Sequence, residues 1–207
     1  MKSLSSHLRT RFTSPVSVAF AAFTLAGCSV LSGSAPDLDT YDISAPTSFP
    51  ALSGSTAAQI LVAAPTSLKL LNSDRIVVRA AGNEVTYLPE IRLPDTLPNV
   101  LQLKLSETFV NSDRFGGVGL PGQGLLIDYQ LVSVVRAFEI RPAGGGFVAR
   151  AEISAKLVND RNGVVRASRV FLSEVPAVSE GRAAASALDQ AFDAVAIDLA
   201  DWILGAI

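Results

Sequence analysis

Residues 147–157 read FVARAEISAKL, a run in which apolar and polar side chains alternate. A period of two residues places alternate side chains on opposite faces of a β-strand. The run therefore predicts a half-exposed strand of an antiparallel sheet, with one face on the core and the other in solvent. The apolar set is Phe147, Ala149, Ala151, Ile153, Ala155 and Leu157, and the polar set is Arg150, Glu152, Ser154 and Lys156.

Two segments of similar length and character flank this strand, at 125–141 and 164–175. They are joined to it by the turn-rich stretches 143–146 and 159–163, which contain four glycines between them. Strands separated by short glycine-containing turns form antiparallel hairpins. The region 125–178 is therefore predicted to be a three-stranded meander. Its charges are predicted to form cross-strand pairs on the solvated face: Arg136, Glu139, Arg150, Glu152 and Arg166.

Upstream of the meander, the sequence predicts shorter elements. Residues 59–65 predict a short buried strand that ends at Pro65, and 75–88 predict a hairpin with its turn at 81–83. Prolines and an aspartate at 94–98 are typical of a helix start. Apolar residues at helical spacing then predict a helix that ends near Asn111: Leu97, Leu101, Leu105 and Phe109.

A second helix is predicted after Pro176, with Ser179 as its N-cap, and it continues to the end of the chain. Its polar residues are mostly aspartates, whereas helices that lie on membrane surfaces favour Lys and Arg. We therefore expect the apolar stripe to pack on the sheet: Leu188, Phe192, Val195, Leu199 and Trp202. The predicted fold class is α/β, with a mixed, largely antiparallel sheet of about five to six strands covered by two long amphipathic helices.

The glycine-rich segment 115–124 contains the pattern Gly117-x-Gly119-x-x-Gly122, which is superficially a dinucleotide-binding fingerprint. That motif requires a strand before it and a helix after it. Here the predicted order is reversed, so the segment is interpreted as a mobile loop. Packing onto the domain is the simpler role for its apolar side chains, and contact with a partner or a lipid is the alternative: Phe115, Val118 and Leu120.

The N-terminus has the organisation of an export signal. Lys2, Arg9 and Arg11 precede an apolar run at 15–25 that is too short to span a bilayer. The run ends in Leu25-Ala26-Gly27-Cys28, which contains the only cysteine of the chain and resembles the bacterial lipobox. The resemblance implies that Cys28 receives diacylglycerol and an N-acyl chain such as palmitate. Several acyl chains suffice for stable membrane anchoring.

Cleavage before Cys28 divides the chain into three predicted parts. Residues 1–27 are a lipoprotein signal peptide, 28–58 a lipidated N-terminus with a flexible tether rich in Ser, Ala, Pro, Thr and Gly, and 59–207 a single domain. Ser29 resembles the corresponding residue of lipoproteins that are sorted to the inner leaflet of the outer membrane, facing the periplasm.

Composition narrows the function classes. The mature chain keeps 14 basic and 19 acidic residues, a net charge of about −5, which argues against nucleic-acid binding. The only histidine, His7, is lost with the signal, so triad catalysis and the usual zinc or haem ligand sets are excluded. We expect no catalytic residue, metal or cofactor. An enzyme that uses carboxylates, Asp128 with Glu139 or Glu152, ranks last because the charges are spread along strands.

Four short segments carry a resemblance to a known family: Tyr41-Asp-Ile-Ser-Ala-Pro46, Ile60-Leu-Val with Pro65, Asn72-Ser-Asp-Arg-Ile-Val-Val-Arg79, and the prolines between Leu88 and Pro98. In this order after a lipobox, they resemble the ABC-type transport auxiliary lipoprotein family, which includes the paraquat-inducible lipoprotein. The resemblance implies an α/β domain with a mixed sheet covered by two helices. It offers no catalytic residues to carry over.

The resemblance also implies partners: a mammalian-cell-entry-domain substrate-binding protein with its ABC permease and ATPase. The expected function is that of a non-enzymatic, outer-membrane-anchored docking or assembly component in phospholipid transport between membranes. The alternative is that the domain itself holds an acyl chain, between the sheet and the helices or under the 115–124 segment. Ring-shaped partners also leave self-association open.

Overall fold

Three long strands form one side of the sheet in the computed structural model, which describes residues 38–50, 52, 54–80 and 84–207. The strands are β1 (Asp39–Thr40), β2 (Gln59–Val62), β3 (Thr66–Ser67), β4 (Val77–Arg79), β5 (Val85–Tyr87), β6 (Ile91–Arg92), β7 (Gly117–Gly119), β8 (Tyr129–Ala143), β9 (Gly146–Asn159) and β10 (Val165–Ala177). The helices are α1 (Leu97–Ser112) and α2 (Gly181–Ala206).

The predicted meander is confirmed. β8 pairs antiparallel with β9, and β9 with β10, over almost their full lengths. Ala149, Ala151, Ile153, Ala155 and Leu157 are all buried, with at most 1% of each residue exposed. The alternation in the sequence therefore identifies the core face of β9 correctly.

The rest of the sheet corrects the prediction of a largely antiparallel arrangement. β2, β3 and β4 pair in parallel with successive parts of β8, and β7 joins β2, also in parallel. β5 pairs antiparallel with β4. The eight-stranded sheet is therefore mixed, and it is five strands wide at either end. The pairings are parallel because the chain from residue 59 to residue 79 runs alongside β8 in the same direction.

The two predicted helices are confirmed, and both contribute to one core with the sheet. α2 packs on β9 and β10, α1 packs on β2 and β7, and the helices contact each other. Small side chains on α2 allow a close approach to the alanines of β9: Ala184, Ala187, Ala191, Ala196 and Ala200. The start of α2 differs slightly from expectation, because Glu180 and not Ser179 occupies the N-cap.

Residues 38–50 form a segment, here named the strap, that lies across both helices. Asp39 pairs with Arg182 of α2 at 2.7 Å, and Ser44 donates from its backbone N–H to Asp189 of α2 at 2.8 Å. Ile43 is buried, with 2% of its surface exposed. The predicted tether of 28–58 thus includes a stretch that packs on the domain, because one apolar anchor and several polar contacts offset its loop-like composition.

Among the described residues, no helix combines the length and apolar character needed to cross a bilayer.

Candidate functional site

The lipobox residues Leu25, Ala26, Gly27 and Cys28 lie outside the described residues, so acylation of Cys28 stays a prediction. The first residue that the structure describes is Leu38, ten residues after the cysteine. A chain of that length spans at most about 36 Å when fully extended. Any anchor on Cys28 therefore stays within that distance of the start of the strap.

The glycine-rich segment contains strand β7, where the sequence predicted a loop. Phe115, Val118 and Leu120 are partly buried and pack against the core. The ring of Phe115 lies 5.3 Å from that of Phe109 on α1, measured between centroids. Packing on the core is thus observed for all three side chains, and their contact with a partner or a lipid stays a prediction. Leu125 and Leu126, which follow the segment, are 43% and 80% exposed.

The three carboxylates considered for catalysis each accept a hydrogen bond or ion pair from the protein itself. Glu139 binds Arg79 through two hydrogen bonds, and this bonding raises the pKa of Arg79 above its ordinary value. Asp128 pairs with Arg161 at 3.2 Å, and Glu152 with Arg150 at 2.5 Å. Within the part of the chain that the structure describes, no group of three potential metal ligands is found.

An apolar cleft of about 490 Å³ lies at one end of the sheet. The β4–β5 hairpin, the β8–β9 turn and the segment that enters α2 form its walls. Val78 shares a sheet face with Ile140, its partner on β8, which is a core residue. α2 contributes only its N-cap residue to this end of the sheet. The cleft is lined by Val78, Arg79, Ala80, Thr86, Tyr87, Pro89, Pro142, Phe147, Ser179 and Glu180.

A second concavity of about 400 Å³, here named the polar groove, adjoins the cleft and shares Pro89 and Glu180 with it. Its other lining residues include the exposed ion pair between Asp39 and Arg182, together with Glu90. Within the described ranges, neither Glu90 nor Glu180 forms an ion pair. Glu90 also has a φ of 61°, a left-handed conformation that is costly for a residue with a side chain.

The sequence did not reveal the cleft, because its lining comes from separate segments between residues 78 and 180. Each contributes one to three side chains, so no local motif marks the site.

The sheet face away from the helices carries a network of ion pairs that confirms three of the five predicted residues, Arg136, Arg150 and Glu152. The prediction is wrong for Glu139, which is buried and pairs with Arg79 of β4, and Arg166 forms no ion pair among the described residues. Glu152 accepts from Arg136 at 3.1 Å and from Arg150 at 2.5 Å, and Arg150 also pairs with Glu174 at 2.5 Å. Apolar side chains surround the network and are 39–50% exposed: Val132, Val134, Val170 and Leu172. Antiparallel sheets commonly leave one such face in solvent.

A family model described as "ABC-type transport auxiliary lipoprotein component" matches residues 41–200. An uncharacterized protein, bll6063, of Bradyrhizobium diazoefficiens is 30% identical over 171 residues, which cover 81% of this chain. The match covers 45% of that relative, so the chain spans about half the length of the curated relative it matches.

Two solved structures share the fold. The crystal structure of protein XCC0632 from Xanthomonas campestris, assigned to family DUF330, superposes with a TM-score of 0.73 at 28% identity, covering 81% of this chain and 96% of that one. A second crystal structure, of an uncharacterized protein, gives a TM-score of 0.59 at 18% identity, covering 80% and 98%. The second likeness concerns the fold alone.

Proposed function

Because the chain belongs to the family of ABC-type transport auxiliary lipoprotein components, we propose that it is an outer-membrane-anchored docking partner of a mammalian-cell-entry-type phospholipid transporter. The match over residues 41–200 carries this proposal, since it spans the strap, the sheet and most of α2. The partners are a mammalian-cell-entry-domain substrate-binding protein with its permease and ATPase.

The anchor in this proposal is Cys28, acylated after cleavage of the signal peptide. Membership of a lipoprotein family supports it, as do the basic start, the apolar run and the small residues before the cysteine. Ser29 supports the inner leaflet of the outer membrane as the destination. The domain then faces the periplasm.

We propose further that the protein acts without catalysis. The carboxylates with the best claim to chemistry, Asp128, Glu139 and Glu152, are all held by arginines. A general acid or nucleophile must be free to meet a substrate. Turnover of envelope lipids or glycans by the purified protein would contradict this part of the proposal.

The direct test is a pull-down from detergent-solubilised envelopes of the native bacterium, with an affinity tag inserted within 29–37. We expect mass spectrometry to recover the mammalian-cell-entry-domain protein, the permease and the ATPase together. A tagged lipoprotein of an unrelated family serves as the control for non-specific capture. Recovery of the intact lipoprotein with none of the three proteins would overturn the docking role.

A second candidate function is lipid binding by the domain itself. The apolar cleft favours it, because pockets for small molecules are typically apolar concavities of about 300–1,000 Å³ with a few polar groups at fixed positions.

A further inference from the structure

We infer that the apolar cleft binds one acyl chain of a zwitterionic glycerophospholipid taken from the membrane that anchors the protein. The inference rests on the proposed role in phospholipid transport, and it adds the site and the substrate class. The headgroup then lies over the polar groove, with its ammonium group close to Glu90 and Glu180.

The lining and volume of the cleft fit an aliphatic chain. Val78, Ala80, Pro89, Pro142 and Phe147 present apolar surface around a space of about 490 Å³. Burial of the methylenes of a chain in such a site is favourable, because it removes apolar surface from water. Four polar residues of the lining interrupt the apolar surface, and the headgroup would lie beyond the apolar part of the cleft: Arg79, Thr86, Ser179 and Glu180.

The charges beside the cleft complement an ammonium group. Asp39 and Arg182 neutralise each other at 2.7 Å, which leaves the carboxylates of Glu90 and Glu180 as the groove's charges without an ion-pair partner among the described residues. Ethanolamine phospholipids carry one primary ammonium beside their phosphate. The exposed carboxylates of Glu90 and Glu180 attract this ammonium group.

The chain enters the domain beside the polar groove. Asp39 lines the polar groove, and it lies next to Leu38, from which the chain runs back to Cys28. The ten residues between the proposed anchor at Cys28 and Leu38 span at most about 36 Å. Tethering at this range gives membrane lipids a high effective concentration at the site.

The two other places considered for an acyl chain are occupied by protein. Between the sheet and the helices, Leu131, Leu157, Phe192 and Leu199 are fully buried and fill the space with side chains. Near 115–124, the apolar side chains pack on the core. The cleft is the largest apolar-lined concavity found among the described residues, and it lies outside this filled core.

A photo-crosslinking experiment tests the assignment in native envelopes. The full-length protein carries p-benzoylphenylalanine in place of Thr86, an exposed residue that lines the cleft, or in place of Val170 on the opposite face of the sheet. We expect Thr86 to yield an adduct with the mass of intact phosphatidylethanolamine, and Val170 to yield little. A link from position 86 to the acyl chains of Cys28, an adduct with protein only, or no adduct would each overturn the inference.

Cleft-filling variants provide a second readout. Thr86→Trp or Pro142→Trp is expected to lower the phosphatidylethanolamine retained per lipoprotein about tenfold, because the new ring occupies the volume that the chain needs. Val170→Trp is the matched control, and circular dichroism establishes that each variant is folded. Retention unchanged in both folded cleft variants would overturn the inference.

The two proposals fail separately. If the wild-type protein captures the transporter while position 86 captures no lipid, only the cleft assignment falls. If position 86 captures phosphatidylethanolamine while the pull-down recovers no transporter, the docking role falls and the lipid site stands.

Discussion

Glu139 is the one charged residue classed as buried in the described part of the chain, with 4% of its surface exposed. Its partner Arg79 donates from Nε to Oε1 at 2.9 Å and from Nη2 to Oε2 at 2.7 Å. The sequence placed Glu139 among the cross-strand pairs of the meander. The structure assigns it to an arginine of β4, which lies 60 positions earlier and could not be paired with it before the parallel register was known.

The first prediction concerns this pair. Glu139→Gln is expected to lower the free energy of unfolding by about 2–3 kcal/mol, because it removes the charge that satisfies Arg79 in a largely desolvated setting. Urea denaturation measures the change. Glu174→Gln, at the exposed end of the other ion-pair network, should cost less than about 1 kcal/mol. Equal losses in the two variants would contradict this account of Glu139.

The second prediction concerns Asp193 on α2. Burial, followed by the nearby charge of Asp189, raises the pKa of Asp193 from 3.8 to about 6. The folded state therefore binds a proton more readily than the unfolded state, and this residue penalises folding above about pH 6. The penalty falls as the pH drops from about 6 to 4, and below that range both states are protonated.

Asp193→Asn should therefore stabilise the protein near pH 7.5 and have little effect at pH 4. We expect a gain of about 1 kcal/mol, reduced by solvent screening because the side chain is only partly buried. Thermal unfolding across this pH range measures it, with the exposed Asp201→Asn as control. A gain that persists unchanged at pH 4 would show that titration is not its cause.

At the scale of elements, β7 depends on a close approach of two backbones. The Gly116 N–H donates to the Ala58 carbonyl at 3.1 Å, and the Thr56 N–H donates to the Arg114 carbonyl at 2.8 Å. A Cβ on Gly116 would overlap the carbonyl of Ala57. This contact, and not a phosphate or a mobile loop, explains a glycine at this position.

The third prediction follows from that contact. Gly116→Ala should destabilise the protein by about 2 kcal/mol, since neighbouring backbone must shift to admit the methyl group. Gly146→Ala is the matched control: no atom lies within 4 Å of the added Cβ, so its effect should stay within about 0.5 kcal/mol. Chemical denaturation measures the free energy of unfolding of both variants. If the two have the same denaturation midpoint, the close backbone contact at Gly116 does not stabilise the fold.

The elements that the sequence predicts well are those whose burial follows a simple period. β9 alternates over eleven residues, and α2 keeps an apolar stripe through Leu188, Phe192, Val195 and Leu199. The strands of two to four residues contain too little sequence to specify a partner, and the parallel pairing of β2, β3 and β4 with β8 is set by tertiary packing. The strap escaped prediction because its contacts are spaced irregularly.

The same distinction applies to the candidate functional residues. A contiguous motif is recognisable in the sequence, whereas a site assembled from distant segments is not. Cys28 could be proposed from the sequence because a lipobox is a contiguous motif, and its acylation stays a prediction. The cleft was not, because it exists only after the β4–β5 hairpin, the β8–β9 turn and the start of α2 meet. The side chains proposed from sequence at 115–124 proved to belong mainly to packing.

At the scale of the whole molecule, the fourth prediction concerns attachment. Cys28→Ala should abolish incorporation of labelled palmitate and the cleavage that depends on acylation, because the thiol is the group that is alkylated. Metabolic labelling and detergent phase partitioning measure both properties. Ser29→Ala is the control, and it should keep the label. Continued labelling of the Cys28→Ala protein would place the lipid elsewhere in the chain.

The strap gives the molecule a mechanical property. Pulling between the anchor and a docked partner would load the strap first, where β1 pairs with β6 over two residues and Ser44 holds Asp189. These contacts are few compared with the long pairings of β8–β10, so the strap should peel away before the sheet yields. If residues 38–50 detached from the domain, the chain between Cys28 and the sheet could extend by about a further 40 Å. In the proposed docking role, this added length would let the protein follow changes in the distance between its anchor and its partner while its sheet stays intact.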